Sequence, residues 1–232
     1  MNEVFAMCIL QATKLKKEYR VGNQVMPILK DVSLAIDQGD FVFIVGPSGS
    51  GKTTLLYVLS GLEDFEDGSV EILGKSLEKM TQKQKSALRA LHIGFVFQFY
   101  NLIPNLTVME NIELSQSFKG KVAKDEILEA LEWVQMKEYK DYFPHQLSGG
   151  MQQKVAIARC LVNDPDVIFA DEPTGNLDYK NGKMIMELFA RINKEKHKTI
   201  IMVTHNEDMM KYGNRTLRML DGKVEQDQVH DA

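Results

Sequence analysis

A doubly wound α/β sheet, with its ligand site along one edge, is the fold class predicted, and three observations predict it. Short apolar runs alternate with stretches of helical period: Phe41-Val42-Phe43-Ile44-Val45, Ile93-Gly94-Phe95-Val96-Phe97, Val167-Ile168-Phe169-Ala170 and Ile200-Ile201-Met202-Val203. Runs of that length between amphipathic segments read as strands buried on both faces of a mostly parallel sheet. The run GPSGSGKTT, from Gly46 to Thr54, joins the first of these strands to a helical pattern that begins at Leu55. Polar residues follow directly on the other three strands: Gln98, Asp171-Glu172 and Thr204-His205. Open α/β sheets bind ligands just past the carboxyl ends of their strands, so these four places are expected to lie along one edge.

In chain order, the first forty residues read as strands. Val32, Leu34 and Ile36 alternate with polar Ser33 and Asp37, and Val70 and Ile72 alternate before Gly74. A small antiparallel layer beside the parallel sheet is therefore expected. Gly61 is placed to end the helix begun at Leu55. Ser76 to Ala90 reads as a polar helix. From Phe99 to Pro144 the texture changes to loops and helices, with Asp125 and Glu126 opening a helix whose Ile127, Leu131 and Val134 share a face. A helix follows Leu147-Ser148-Gly149-Gly150 and stops at Asn163-Asp164-Pro165; Ile185, Leu188, Phe189 and Ile192 mark another. Asp221-Gly222 is a hairpin signal. The polar residues 225–232 are expected to fray.

The 232 residues suffice for one large domain or a domain with a subdomain, and they can bury a full core. A net charge of -4 argues against nucleic acid as a partner, since phosphate backbones demand a basic surface. Two cysteines, Cys8 and Cys160, sit in unrelated contexts without metal or disulfide spacing, which points to a reducing compartment. Cys160 falls within an apolar helical run, as expected of an inert core thiol. Glu3 precedes the first apolar stretch, so no signal peptide is expected, and no stretch reaches the ~18–20 apolar residues of a membrane helix. If the protein works at a membrane, another chain is expected to span it.

Gly46, Gly51, Lys52 and Thr53 fit the pattern G-x-x-x-x-G-K-[ST]. Gly46, Pro47, Ser48, Gly49, Ser50 and Gly51 would curl the backbone so that its N–H groups face a polyphosphate, at a helix N-terminus whose dipole favours anions. Lys52 would meet the β- and γ-phosphates, and the Thr53 hydroxyl would take a place on Mg²⁺, with Thr54 completing the run. A nucleoside triphosphate is the expected ligand.

Five elements then occur in a telling order: GPSGSGKTT, Gln98 in FVFQFYNL, LSGGMQQK over 147–154, VIFADEPTGNLD over 167–178, and His205 in MVTH. From about Leu10 to Val224 the chain resembles the nucleotide-binding subunit of an ABC transporter. The resemblance implies ATP and Mg²⁺ as ligands. It also implies a RecA-like core with its β layer over about 1–97 and 161–224, and an inserted helical subdomain over about 98–160. By the same resemblance Asp171 and Gln98 join Thr53 at the metal, Glu172 is the general base, His205 senses the γ-phosphate, and the ring of Tyr19 stacks on adenine. Ser148, Gly149 and Gly150, at a second helix N-terminus, would close over nucleotide held by another subunit, with Asn176, Leu177 and Asp178 as the dimer-facing loop. Departures are few: Met151 stands where many relatives carry Gln, and Lys154 where many carry Arg, which keeps charge but loses bidentate geometry.

The features FQFYNLIPNLTVMENIEL and DEPTGNLD resemble the branch of macrolide and antimicrobial-peptide exporters, lipoprotein-release ATPases and the cell-division cassette. The implied protein is a peripheral ATPase at the cytoplasmic face of the membrane. It would pair as a homodimer, drive a separate permease, and have a periplasmic or extracellular adaptor as a further partner. The competing class is a soluble ATPase of the same superfamily acting in cell division, on DNA or on ribosomes. About fifty residues separate Gln98 from Ser148 without coiled-coil heptads, which disfavours the DNA-acting members. A P-loop kinase or GTPase leaves LSGG unexplained, and the sequence also lacks the guanine-reading Asn-Lys-x-Asp motif expected of a GTPase.

Overall fold

The computed structural model describes residues 7–117, 120 and 122–230. The stretch around Glu3 lies outside them. Two sheets carry the fold. Strands β1 (Cys8–Val21) and β2 (Gln24–Asp37) form a long antiparallel hairpin, and β3 (Phe41–Val45) leads into α1 (Lys52–Leu59). The chain then adds β4 (Asp67–Ile72) and the short β5 (Lys75–Ser76), giving a four-stranded antiparallel sheet in the order β2-β1-β4-β5. Helix α2 (Gln82–His92) leads to β6 (Ile93–Phe97). Three helices follow: α3 (Val108–Ser117), α4 (Lys124–Trp133) and α5 (Gly149–Leu161). The chain closes with β7 (Val167–Asp171), α6 (Tyr179–Lys196), β8 (Thr199–Val203), β9 (Arg215–Leu220) and β10 (Lys223–Val229). The second sheet runs β10-β9-β3-β8-β7-β6, parallel throughout except for β10, which pairs antiparallel with β9.

Alternation along the buried strands divides the interior in two, because successive side chains leave opposite faces of a sheet. Phe41, Phe43, Val45, Ile168, Ala170, Ile200 and Met202 pack with α3 to α6, against residues such as Ile112, Leu131, Ile157 and Phe189. Val42, Ile44, Val167, Phe169, Ile201 and Val203 pack on the other side with Leu55, Leu56 and Leu59 of α1 and with Leu10, Leu15 and Ile36 of the antiparallel sheet. Each fully buried side chain of this kind contributes ~1.5–3 kcal/mol of transfer free energy. The parallel sheet is thus clamped from both faces, and its carboxyl edge, where the loops emerge, is held rigidly.

Two expectations are corrected here. The helix expected from Ser76 starts only at Gln82: Lys75 and Ser76 pair with β4, residues 77–79 make one 3-10 turn, and Met80 and Thr81 are extended. Thr81 caps α2 reciprocally with Gln84, and a Ser/Thr/Gln capping box sets a boundary that periodicity alone overruns. The tail expected to fray from residue 225 is instead ordered as strand β10 through Val229. Arg215 grips Asp227 with both Nε (2.8 Å) and Nη2 (2.6 Å), and His230 N–H donates to the Asn214 carbonyl at 2.7 Å. Polar composition here marks a solvated edge strand.

Candidate active site

The loop after β3 folds back under α1. Gly51 sits at φ 96° as the residue before the helix, a left-handed conformation that glycine adopts at no steric cost, and it has no side-chain cap. The first N–H groups of α1 are left facing the loop. The loop is braced from behind: the Gly222 N–H, in the β9–β10 turn, donates to the Ser50 carbonyl at 3.2 Å, and the Gly222 carbonyl accepts from Lys30 N–H of β2 at 2.9 Å. Lys52 is buried, and its ammonium donates to the carbonyls of Gly46 (2.9 Å) and Pro47 (2.8 Å). Two of its three donors are thereby spent within the loop.

A cavity of about 270 Å³ opens beside this loop, lined by Ser48, Gly49, Thr53 and Thr54, by Tyr19 and by Glu172. The Tyr19 hydroxyl donates to Glu63 Oε2 at 2.8 Å, and Lys17 Nζ lies 5.4 Å from the ring centroid. Across the sheet edge, β7 delivers Asp171 and Glu172. Asp171 accepts from Thr53 Oγ1 on Oδ1 (3.1 Å) and from the Tyr57 hydroxyl on Oδ2 (2.9 Å). Burial pushes its carboxyl pKa up, and these two bonds pull against that rise. Burial and the Asp171 bond together push the Tyr57 phenol up to about 12, so it remains a donor.

Glu172 adopts φ 46°, a strained backbone conformation for a non-glycine residue, with its N–H bonded to the Val203 carbonyl of β8 at 3.0 Å. That break in extended geometry lets two adjacent carboxylates diverge, one toward Thr53 and the other toward His205. His205 Nδ1 lies 3.0 Å from Glu172 Oε2, and the ring itself is exposed.

Gln98 lies at the end of β6. Its Nε2 donates to Asn176 Oδ1 at 3.1 Å, and Asn176 Nδ2 donates to the Gln98 carbonyl at 3.1 Å. The amide thus faces the loop after β7, and among the described residues it makes no hydrogen bond to Thr53 or Asp171. Leu177 packs partly against the core, and Asp178 caps α6 by accepting from Asn181 N–H at 2.9 Å. Ser148 caps α5 by accepting from Met151 N–H, and it is exposed. Neither Ser148 nor Gly149 or Gly150 lines the cavity beside the P-loop.

A protein-family model for ABC transporters matches residues 29–175, more than half of the chain. The chain belongs to the ABC transporter ATP-binding family. An ABC transporter ATP-binding protein of Thermotoga maritima is 44% identical over 220 residues, which cover 94% of each chain. The macrolide export ATP-binding/permease protein MacB of Chlorobium phaeobacteroides is 41% identical over 222 residues, 95% of this chain but 34% of that protein. Among solved structures, the ATP-binding cassette MJ0796 of Methanocaldococcus jannaschii, in a dimeric post-hydrolysis state bound to ADP and Pi, matches with a TM-score of 0.88 at 39% identity. The match covers 96% of this chain and 99% of that one. The cassette described here is accordingly an ATP-binding ATPase. No helix among its described residues is long and apolar enough to cross a membrane.

Sequence reasoning passed over three site residues in this cassette. Tyr57 was read only as part of a helix, although it follows Thr53 by four positions and so shares its face. Gln153 is fully buried and donates to the Pro173 carbonyl at 2.6 Å, tying α5 to the loop after β7. Arg159 donates to the Asn101 and Tyr100 carbonyls at 2.5 and 2.8 Å, which holds two residues at φ 51° and 60° just beyond Gln98. The last two act on backbone carbonyls brought close only by the fold, and no spacing in the sequence signals them.

The donor set fits Mg²⁺. Thr53 Oγ1 and an Asp171 oxygen, both hard donors, lie together beside the phosphate-binding loop, and among the described residues no three His, Cys, Asp or Glu side chains gather into a caged metal site. Mg²⁺ is typically held that way, by one or two protein oxygens together with waters and substrate phosphates.

Proposed function

We propose that two copies of this cassette pair head to tail around two ATP molecules, each presenting Ser148, Gly149 and Gly150 to the nucleotide on the other's P-loop, and that closure drives a separate membrane permease. The observation that carries this reading is the separation of two phosphate-ready helix N-termini: α1 lies within the cavity lined by Thr53 and Glu172, whereas at the start of α5 Ser148 is exposed, Gly149 half-buried and Gly150 buried, and none of the three lines that cavity. One γ-phosphate does not need both from one chain. The dimeric form of MJ0796 supports the pairing.

Within such a site the P-loop N–H groups and Lys52 bind the phosphates, Thr53 and Asp171 would hold Mg²⁺, and Gln98 would join them by releasing Asn176; the metal would offset charge at the γ-phosphate. Glu172 accepts the proton of the attacking water, His205 orients Glu172 and senses the γ-phosphate, and Tyr19 stacks on adenine. Asn176, Leu177 and Asp178 face the partner. Residues 98–160 act as a helical subdomain coupled to the core through Gln98 and Gln153. Similarity to MacB supports the exporter branch: a cassette at the cytoplasmic face, serving a permease for antimicrobial compounds, peptides or lipoproteins, with a periplasmic or extracellular adaptor beyond it.

Mixing two inactive variants tests the pairing. Ser148→Arg places a cation where the opposite γ-phosphate belongs, and Lys52→Ala damages the P-loop. In their heterodimer one composite site carries both lesions and the other carries none. Recovered ATPase activity on mixing is the expected result. Full, concentration-independent hydrolysis by Ser148→Arg alone would refute shared sites.

A further inference from the structure

The geometry points to Tyr57 as a positioning residue of the ATPase site, one that fixes the carboxylate of Asp171 so that a single oxygen edge is presented to the divalent cation. The inference rests on the reading above, in which Thr53 and Asp171 hold that cation, and it adds a residue outside the P-loop and outside the DEPTGNLD run.

Thr53 and Tyr57 are four residues apart on α1 and therefore project from one face of it. Their hydroxyls take different oxygens of Asp171: Thr53 donates to Oδ1 at 3.1 Å and Tyr57 to Oδ2 at 2.9 Å. A carboxylate at a strand end otherwise turns freely about its last torsion, which has a broad, roughly two-fold profile. With a donor on each oxygen, that rotation is arrested.

The two hydroxyls differ in what remains to them. Thr53 lines the cavity beside the loop; with its proton turned to Asp171, its lone pairs are left for a cation. Tyr57 does not line that cavity. It lies one turn further along α1, its ring packed against the core formed by α1 and the antiparallel sheet, and its one proton is committed to Oδ2. The end of α1 is itself pinned, because the Tyr57 carbonyl accepts from Leu62 N–H (2.9 Å), Glu63 N–H (3.2 Å) and Ser60 Oγ (3.0 Å). The phenol is thus a fixed strut behind the metal-holding carboxylate, and Asp171 has one oxygen braced by the core while the other faces the cation.

Tyr57→Phe keeps the packed ring and removes only the proton, so it isolates the strut. Nucleotide binding is measured with a fluorescent ATP analogue on the full chain, in EDTA and across a Mg²⁺ titration, in a Glu172→Gln background that prevents consumption. Binding in EDTA is expected to be unchanged, while the Mg²⁺ concentration for half-maximal response rises about tenfold, the scale of one hydrogen bond to a charged group. In the Glu172 background proper, steady-state hydrolysis by Tyr57→Phe should recover toward the unmodified kcat at high Mg²⁺. Tyr57→His, which retains a ring N–H donor, should restore part of the response. The inference is overturned by an unshifted Mg²⁺ titration, or by affinity that falls equally with and without Mg²⁺, which marks a purely structural role. Loss of folding in Tyr57→Phe, seen as a collapsed thermal transition, also overturns it. If the unmodified chain itself shows no response to Mg²⁺, the cation reading of Thr53 and Asp171 fails instead, and the two failures are told apart by that one control.

Discussion

Two helix N-termini in this cassette look alike in sequence and differ in surroundings. Both α1 and α5 begin beside glycines and small hydroxyl residues. The start of α1 is uncapped at Gly51 and surrounded by chemistry, with Lys52, Thr53, Asp171 and Glu172 within one constellation. The start of α5 is capped by its own Ser148 and borders neutral groups, the Tyr100 hydroxyl and the Asn181 side chain, which lie where a side chain on Gly149 or Gly150 would have to go. One end has binding groups and reactive groups; the other has donors and close-fitting glycines only. A helix N-terminus supplies electrostatics, and whether it becomes half of a site or a complete one depends on what the sheet edge brings to it.

The comparison is broken most severely at Glu172. Glu172→Gln should bind ATP normally and lose ~10²–10⁴-fold in turnover, as expected for loss of a general base, and single-turnover phosphate release would measure it. Hydrolysis within a few-fold of the unmodified protein would remove Glu172 from that role. Lys52→Ala follows in size: with the charge gone from the α1 end, nucleotide affinity should drop ~10–100-fold in direct titration, the cost of a hydrogen bond to a charged group. Unchanged affinity would mean that Lys52 remains tied to Gly46 and Pro47 when nucleotide is bound. At the α5 end, Ser148→Ala should cost only ~1 kcal/mol of stability by chemical denaturation, the usual value of a lost N-cap. A similar cost is expected for Thr81→Ala at α2, whose side chain caps that helix away from every proposed site residue, so it serves as a control. If Ser148→Ala also slows hydrolysis while Thr81→Ala does not, the Ser148 hydroxyl has a use beyond its own helix. The smallest effect is expected far from both ends: Asp227→Ala, on the exposed edge strand β10, removes one of two carboxylates that pair with Arg215 and leaves Asp40, so it should cost ~1 kcal/mol or less and leave hydrolysis intact.

The strands and the site were legible in the sequence for the same reason. A strand buried on both faces must be apolar throughout, so Val167 to Ala170 announces itself, and the first polar residue after it marks the sheet edge. Asp171 and Glu172 were therefore placed by the abrupt end of an apolar run. The tail was misjudged because an edge strand needs little apolar content: Lys223 to Val229 is held by backbone pairing and by the Arg215–Asp227 fork, neither of which leaves a periodic trace. The start of α2 was misplaced because helical composition in Leu77 to Lys79 continues past a strand and a turn that only the Thr81 box reveals. Gln98 was found by its neighbours in the motif order and Asn176 as part of the dimer-facing loop, yet the bond between them was not, because it is made across 78 positions of chain. Tyr57 alone was within reach of a purely local argument, four residues beyond Thr53 on a helix already identified.

The brace between Gly222 and Ser50 has a consequence for biosynthesis. The phosphate-binding loop is encoded in the first quarter of the chain, yet its support comes from a turn some 170 residues later, and Lys30 of β2 leans on the same turn. During translation the loop leaves the ribosome long before its brace, and β8, the strand between β3 and β7, also follows late. Contacts of such long sequence separation form slowly and last. A nascent chain stopped before Gly222 would thus carry every residue of GPSGSGKTT without the turn that braces it, so firm capture of nucleotide is expected only once that turn has been made.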